Sequence, residues 1–349
     1  MTPNLYICST YYHVLVTLCK VLKSDQRADI VLCDDIPEAK TLMESLIRAG
    51  CFSNVIYFDK NQVHEYLGKN KLDWVFFQHR RSRRKIEKEF KLDVSRYQDI
   101  YIYHDDILLG HYLNDIRRPY HLLEDSQDFY KVIQNTPFAR CLPQSGLKYK
   151  LRRFLRSGYF PLGQSPYVID VEVNDKRDLA IHHRHIVELP KDKLFAQVGE
   201  EEKKRIYSIF MREVNLHSFP PHATLLLTQP LWKDGYTETM EVQIQVYREI
   251  VKKYVPLTSL LVIKPHPRDD CIYQNIFPSA VVINKNIPAE ILNYNPDIQF
   301  DTALTFFSSA LSGIHFAKRK IKVDIERECM YVSHNSTYSS QKRFKIRKR

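Results

Sequence analysis

Short apolar runs rich in β-branched and aromatic residues recur along the chain, each bounded by polar or turn-forming residues. In the first half they are NLYIC (4–8), ADIVLC (28–33), NVIYF (54–58), DWVFF (73–77), DIYIY (99–103) and YHLL (120–123). Segments between them, such as EAKTLMESLIRAG (38–50), carry apolar residues at a spacing near 3.6. Strand-length runs alternating with amphipathic helices predict βα units and a parallel sheet. Runs apolar on both faces suit a sheet covered by helices on both sides. A second series follows: ATLLLT (223–228), SLLVIK (259–264), AVVIN (280–284), TALTFF (302–307) and KIKVDI (320–325). From about 140 to 220 the pattern changes to basic, then polar and helical. KDKLFAQVGEEEKKRIYSIFMREV (191–214) reads as one amphipathic helix and the region as a connection between domains.

The expected fold class is α/β, with two Rossmann-like doubly wound domains facing a cleft. Residues 1–180 are expected to form the N-terminal domain, 181–335 the C-terminal domain, and 336–349 a basic tail. With 349 residues, 44% of them hydrophobic, the chain has material for two cores. No apolar run reaches the roughly 18 residues of a membrane span. The N-terminus, MTPNLYICSTYYHVLVTLCKVL, lacks a basic first segment and reads as strand then helix, not as a signal peptide. Seven scattered cysteines without a CxxC pair favour buried free thiols in a reducing compartment, so the cytoplasm.

Charge adds one feature. The net charge is +11, but the last eight residues, KRFKIRKR, carry six Lys or Arg, and without them it is 11 − 6 = +5. Further basic clusters are HRRSRRK (79–85) and KYKLRRFLR (148–156). A basic balance fits an anionic substrate, an anionic membrane surface or nucleic acid. The 22 tyrosines and 18 phenylalanines fall mostly within strand and helix patterns, and no nucleic-acid-binding signature is visible, so no nucleic-acid partner is expected.

Four motifs sit where predicted strands end, which is where open α/β sheets bind ligands. In KPHPR (264–268) two prolines restrict the backbone around one imidazole. Lys264, His266 and Arg268, with Pro267 shaping the turn, are candidates to converge on a phosphate; the plain alternative is a stiff turn with incidental charges. In YHLLEDSQDFY (120–130) the adjacent Glu124 and Asp125 would raise one another's pKa and prepare a general base; helix capping explains the same residues. In TFFSSALSG (305–313) Ser308 and Ser309 open a predicted helix whose N-terminus suits an anion. In LLLTQPLWKDGYTE (225–238) Gln229 is a candidate binding residue, and Asp234 and Glu238 are rival bases. Ser9 and Thr10 form a Rossmann-like first turn without GxGxxG. YHDD (103–106) ends another strand. P-loop, HExxH, GxSxG and kinase signatures are absent.

An acid pair late in the first domain, an HP dipeptide after a second-domain strand and a Ser-Ser after a later one form a specific combination. It resembles the bacterial sialyltransferases, in particular glycosyltransferase family 52, which includes lipooligosaccharide and capsule-type enzymes. The resemblance runs from NLYICSTYYHVL to about residue 330, and KPHPRD is its strongest piece. It implies a GT-B fold, CMP-sialic acid as donor, inversion at the anomeric carbon, and neither cofactor nor metal. It also implies an oligosaccharide acceptor and peripheral attachment to the inner face of the plasma membrane, to which the basic tail would contribute. His266 would then meet the leaving phosphate, and a carboxylate would take the acceptor's proton. These families show two acids followed by glycine, whereas Ser126 follows Glu124-Asp125 here, so Asp125 and Asp234 both stand as the base. The acceptor, terminal galactose being the first choice, and a homodimer stay open. Two alternatives are a transferase for another sugar nucleotide, such as a UDP-hexose, and a basic nucleic-acid-binding protein.

Overall fold

The computed structural model describes residues 2–24, 26–67, 78–90, 92–126, 128–135, 160, 162–211, 222–308 and 310–328. The basic tail, KYKLRRFLR, DWVFF, Ser309, Cys141 and Cys329 lie outside the described residues, as do the side chains of residues 79–82 within HRRSRRK. The chain divides into two compact units, Met1–Arg205 and Ile206–Arg349.

The first unit is built on seven parallel strands: β1 (Asn4–Cys8), β2 (Ala28–Cys33), β3 (Asn54–Phe58), β4 (Ile100–Ile102), β5 (Tyr120–Leu123), β6 (Val168–Val173) and β7 (Ile186–Glu188). Their order is β3-β2-β1-β4-β5-β6-β7. The helices are α1 (Tyr11–Val21), α2 (Ala39–Ala49), α3 (Lys60–Leu67), α4 (Gln78–Glu89), α5 (Leu108–Asp115), α6 (Phe129–Val132) and α7 (Lys191–Ala196), with α8 (Glu200–Phe210) running across the division after Arg205. β1 and β2 are buried along their whole length, as a strand covered on both faces must be. Leu5, Ile7, Ile100, Ile102, Tyr120, Leu122, Val171 and Val173 form one continuous core across the sheet.

The second unit has five parallel strands: β8 (Ala223–Leu227), β9 (Leu260–Lys264), β10 (Val281–Val282), β11 (Phe300–Thr305) and β12 (Ala317–Lys322), in the order β10-β9-β8-β11-β12. Its helices are α9 (Met240–Tyr254), α10 (Tyr273–Ile276) and α11 (Ala310–Gly313). Its core joins Leu226, Ile263 and Leu304 from three strands to Val246, Tyr247 and Ile250 of α9.

Both sheets are therefore parallel with one reversal of strand order, at β1/β4 and at β8/β11, which is the doubly wound pattern of the GT-B class. Three expectations need correction. The region after 140 contributes β6 and β7 to the first sheet, so the division falls after Arg205, not at 180. The long helix expected over 191–214 is two helices, α7 and α8, broken at Gln197–Gly199. TALTFF ends its strand at Thr305, so Phe306 and Phe307 belong to the loop.

Cys8, Cys19, Cys33 and Cys271 are buried free thiols. Among the described residues no helix is long and apolar enough to cross a membrane. One close approach fixes a sequence position. A Cβ on Gly110, in the first turn of α5, would lie 2.1 Å from the Asp105 carbonyl oxygen. Overpacking against backbone costs about 1–3 kcal/mol. Gly110→Ala should lower the urea midpoint by that much stability; an unchanged midpoint would show that the loop yields freely.

Candidate active site

In the first unit the loops after β1, β4 and β5 meet at the strand-order reversal. Thr10 caps α1, its hydroxyl accepting from the His13 N–H at 3.1 Å. The Ser9 N–H donates to His13 Nδ1 at 3.1 Å. Ser9 and Thr10, expected as binding residues, thus shape the turn. His13 is fully buried. Its ring stacks on Tyr103 with centroids 4.1 Å apart and planes 5° from parallel. Its Nε2 lies 2.9 Å from the Asp125 carbonyl oxygen and 3.1 Å from Asp125 Oδ1. From YHDD, His104 Nδ1 accepts the Asp106 N–H, and buried Asp105 accepts from the Tyr120 hydroxyl and the Gly163 N–H.

The adjacent acids have separate tasks. Glu124 is 1% exposed. It accepts the Asn174 N–H at 2.6 Å and the Tyr130 N–H at 3.4 Å, tying the loop after β5 to the loop after its neighbour β6. Burial pushes its carboxyl up to about 7, against those two hydrogen bonds. Asp125 keeps 20% of its side chain exposed. Burial pushes its carboxyl up too, but the hydrogen bond from His13 and the electrostatic influence of the His13 and His104 rings outweigh it and hold the group below its ordinary range. The expected mutual repulsion between the two acids is not what shifts them. Their environments drive the two carboxyls apart, leaving Asp125 as the ionised, partly open one. The expected capping geometry is also missing, since Asp128 precedes α6 with φ +58 and no side-chain cap bond.

In the second unit KPHPRDD follows β9, beside β8. The Arg268 N–H donates to His266 Nδ1 at 3.1 Å, so the ring proton sits on Nε2 and that nitrogen is the donor His266 can offer. The His266 N–H reaches the Thr228 hydroxyl at 3.4 Å, and the Asp269 N–H closes the turn on the His266 carbonyl at 2.9 Å. Asp269 holds this turn from beneath. Its buried carboxylate accepts from the Thr228 and Tyr273 hydroxyls, the Gln243 amide and the Cys271 N–H. Gln229 is clamped through its backbone, its N–H and carbonyl both bonded to the Tyr247 hydroxyl.

The three charged candidates of this motif do not share one target. Lys264 is buried, with Nζ donating to the Pro265 and Lys285 carbonyls at 2.6 and 2.9 Å. Burial pushes its ammonium down to about 7. Arg268 forms a two-pronged pair with Asp234 at 2.9 and 3.2 Å. Asp234 is thus tied to a cation. Burial first, then the Arg268 and Lys264 charges, push His266 down to about 4, with Asp234 opposing. The expected helix after β11 is a single turn, and Ser308 caps it by accepting the Ala310 N–H at 3.3 Å. A turn that short has little dipole to offer an anion.

A model of glycosyltransferase family 52 matches residues 58–326. The chain belongs to glycosyltransferase family 52. A stretch of 136 residues, 38% of this family 52 chain, is 37% identical to an uncharacterized protein of Haemophilus influenzae and spans 41% of that protein's length. Among solved structures, an alpha/beta-galactoside alpha-2,3-sialyltransferase of Photobacterium phosphoreum is 16% identical, with a TM-score of 0.51 and 94% of each chain covered. A UDP-GlcNAc 2-epimerase of Neisseria meningitidis is 12% identical, with a TM-score of 0.48 over 94% of this chain and 84% of the other.

Glycosyltransferases pass a sugar from an activated donor to an acceptor. That chemistry asks for a base at the acceptor hydroxyl and stabilisation of the leaving group. Each unit places one suitable group at its own strand-order reversal or the strand beside it: Asp125 in the first, His266 in the second. Sequence reasoning missed His13 and Asp269. Asp269 had a usable signal, as the first acid after the HPR turn. His13 had only its place three residues after a capping threonine, which any helix could show.

Glu124 has a signature in stability. The folded carboxyl keeps its proton to about pH 7, while the unfolded one releases it near 4.5. The stability contributed by the neutral group is fully present below 4.5 and is lost as pH rises through 7. The melting temperature of the wild type should therefore fall more steeply from pH 5 to 8 than that of Glu124→Gln. Parallel curves would place the ordinary titration back on Glu124.

Proposed function

We propose that this family 52 transferase moves sialic acid from CMP-sialic acid to a terminal sugar, galactose being the first choice, of a bacterial surface glycan of capsule or lipooligosaccharide type. The observation that carries the reading is the His266 ring, aimed by a backbone N–H on Nδ1 so that Nε2–H is its outward donor. Family membership and the fold likeness to the Photobacterium phosphoreum sialyltransferase support it. A nucleoside monophosphate is a good leaving group whose departing oxygen needs a hydrogen bond and nearby positive charge more than full protonation, which suits an imidazole that is neutral in the free protein. Negative charge brought by the donor's phosphate and carboxylate would raise His266 toward its ordinary range, strengthening that bond.

In the transfer, the acceptor oxygen attacks the anomeric carbon from the face opposite the phosphate. Its proton passes to the Asp125 carboxylate as the new C–O bond forms. The bond from the anomeric carbon to the phosphate oxygen breaks, its electron pair stays on CMP, and configuration inverts. Basic KRFKIRKR would hold the protein at the inner face of an anionic membrane, each cation adding on the order of 1 kcal/mol.

A donor screen tests the substrate: turnover of CMP-sialic acid with UDP-hexoses inert supports the reading, and the reverse preference overturns it. His266→Ala should lower kcat roughly 100- to 10,000-fold. Asp125→Asn should nearly abolish transfer while CMP still binds, and Asp234→Asn should stay within about tenfold of wild type, since Asp234 only pairs Arg268. An inactive Asp234→Asn beside an active Asp125→Asn would move the base to Asp234. For the tail, anionic vesicles should pellet the full chain in low salt and release it in high salt. A chain ending at Gln341 that pellets equally would remove the tail from membrane binding.

A further inference from the structure

We propose that His13 is a positioning residue for Asp125, holding one of its carboxylate oxygens through a tautomer that the backbone dictates. The inference rests on the reading of Asp125 as the base. Nδ1 of His13 is occupied as an acceptor by the Ser9 N–H, so the neutral ring must carry its proton on Nε2. A second proton on Nδ1 would face that N–H head-on. Nε2–H therefore donates, shared between the Asp125 carbonyl at 2.9 Å and Oδ1 at 3.1 Å. One donor thus fixes both the loop and the side chain it carries.

The ring has no room to turn. It is wholly buried and lies flat on Tyr103, whose hydroxyl is held by Thr17 at 2.9 Å, and Thr17 in turn meets Cys8 Sγ at 3.4 Å. The chain of contacts links β1, α1, the end of β4 and the loop after β5. The pair occupies Oδ1 alone, and Oδ2 is the oxygen assigned here to the acceptor hydroxyl. Other titratable groups around Asp125 are His104 after β4, its neighbour Glu124, and Tyr130 on α6. A hydrogen bond to the charged form of a carboxyl keeps it ionised at lower pH and restrains its geometry.

The test is the pH dependence of kcat in His13→Phe and His13→Gln. Phenylalanine keeps a ring on Tyr103 and loses the donor; glutamine carries an amide N–H at the distance of Nε2. In His13→Phe kcat should fall roughly 10- to 100-fold, the acid limb should move up by about one pH unit, and donor KM should stay within about twofold. His13→Gln should recover at least half of the lost logarithm of rate and return the acid limb toward wild type. A purely structural histidine would lower the melting temperature of both variants and leave the acid limb in place, which would overturn the proposal. So would an acid limb unmoved in folded His13→Phe while Asp125→Asn is inactive, an outcome that leaves Asp125 as the base. A fully active Asp125→Asn would overturn both readings. Should His13→Phe not fold, nitrogen-15 spectra of histidine-labelled wild type decide, with the His13 signal assigned by its loss in His13→Gln. In the neutral ring, protonated Nε2 and bare Nδ1 support the proposal, and the Nδ1-protonated tautomer overturns it.

Discussion

Parallel strands leave backbone amides and carbonyls without ladder partners at their carboxyl edge, and where strand order reverses the two flanking loops turn away from each other. Those loops must find acceptors for their N–H groups locally. In this chain imidazole nitrogens supply several of them. Ser9 and Asp106, after β1 and β4 at the reversal, and Arg268, after β9 next to the reversal strand β8, each donate a backbone N–H to the Nδ1 of a nearby histidine, His13, His104 and His266. A need of the loop thereby becomes a property of the side chain: with Nδ1 committed, the proton of the neutral ring belongs to Nε2. Loop geometry and hydrogen-bond polarity are fixed by one contact.

The two acids of the first unit follow the same logic. Both belong to the turn after β5, yet Glu124 points into backbone N–H groups of neighbouring loops and Asp125 meets a side-chain donor. Glu124 closes the gap between β5 and β6, and burial raises its carboxyl to about 7. Asp125 stays ionised because its partner is a donor that cannot reverse. A buried acid and an open one at adjacent positions supply structure and reactivity without competing for one proton.

Legibility from sequence tracked how local each determinant is. Apolar runs with turn residues on both sides marked β1, β2, β3 and β5 to the residue; β1 and β2 are buried on both faces, while the partly buried β3 is legible from its β-branched and aromatic residues. β6 and β7 escaped because VIDVEV is interrupted by Asp170 and Glu172 and IVE is only three residues long, so neither reads as an apolar run. KPHPR was readable as a site because proline acts on its immediate neighbours. What each charge does there was not: Lys264 turns to carbonyls, one of them at Lys285, and Arg268 reaches Asp234. His13 was invisible for the same reason, since its role depends on a residue that only the sheet order brings near.

Charge arrangement in the second unit bears on how a transferase can release what it binds. Burial leaves the Lys264 ammonium easily neutralised, and Arg268 is already paired, so the free protein holds less uncompensated positive charge around His266 than the sequence suggests. A fully charged trio would bind nucleotide product as tightly as donor, and uniform binding of that kind lowers KM without raising kcat. A neutral imidazole that gains charge character only as negative charge builds on the leaving oxygen interacts most strongly at the transition state. The same device weakens its hold once a leaving group has parted from the sugar and its charge can be shared with water.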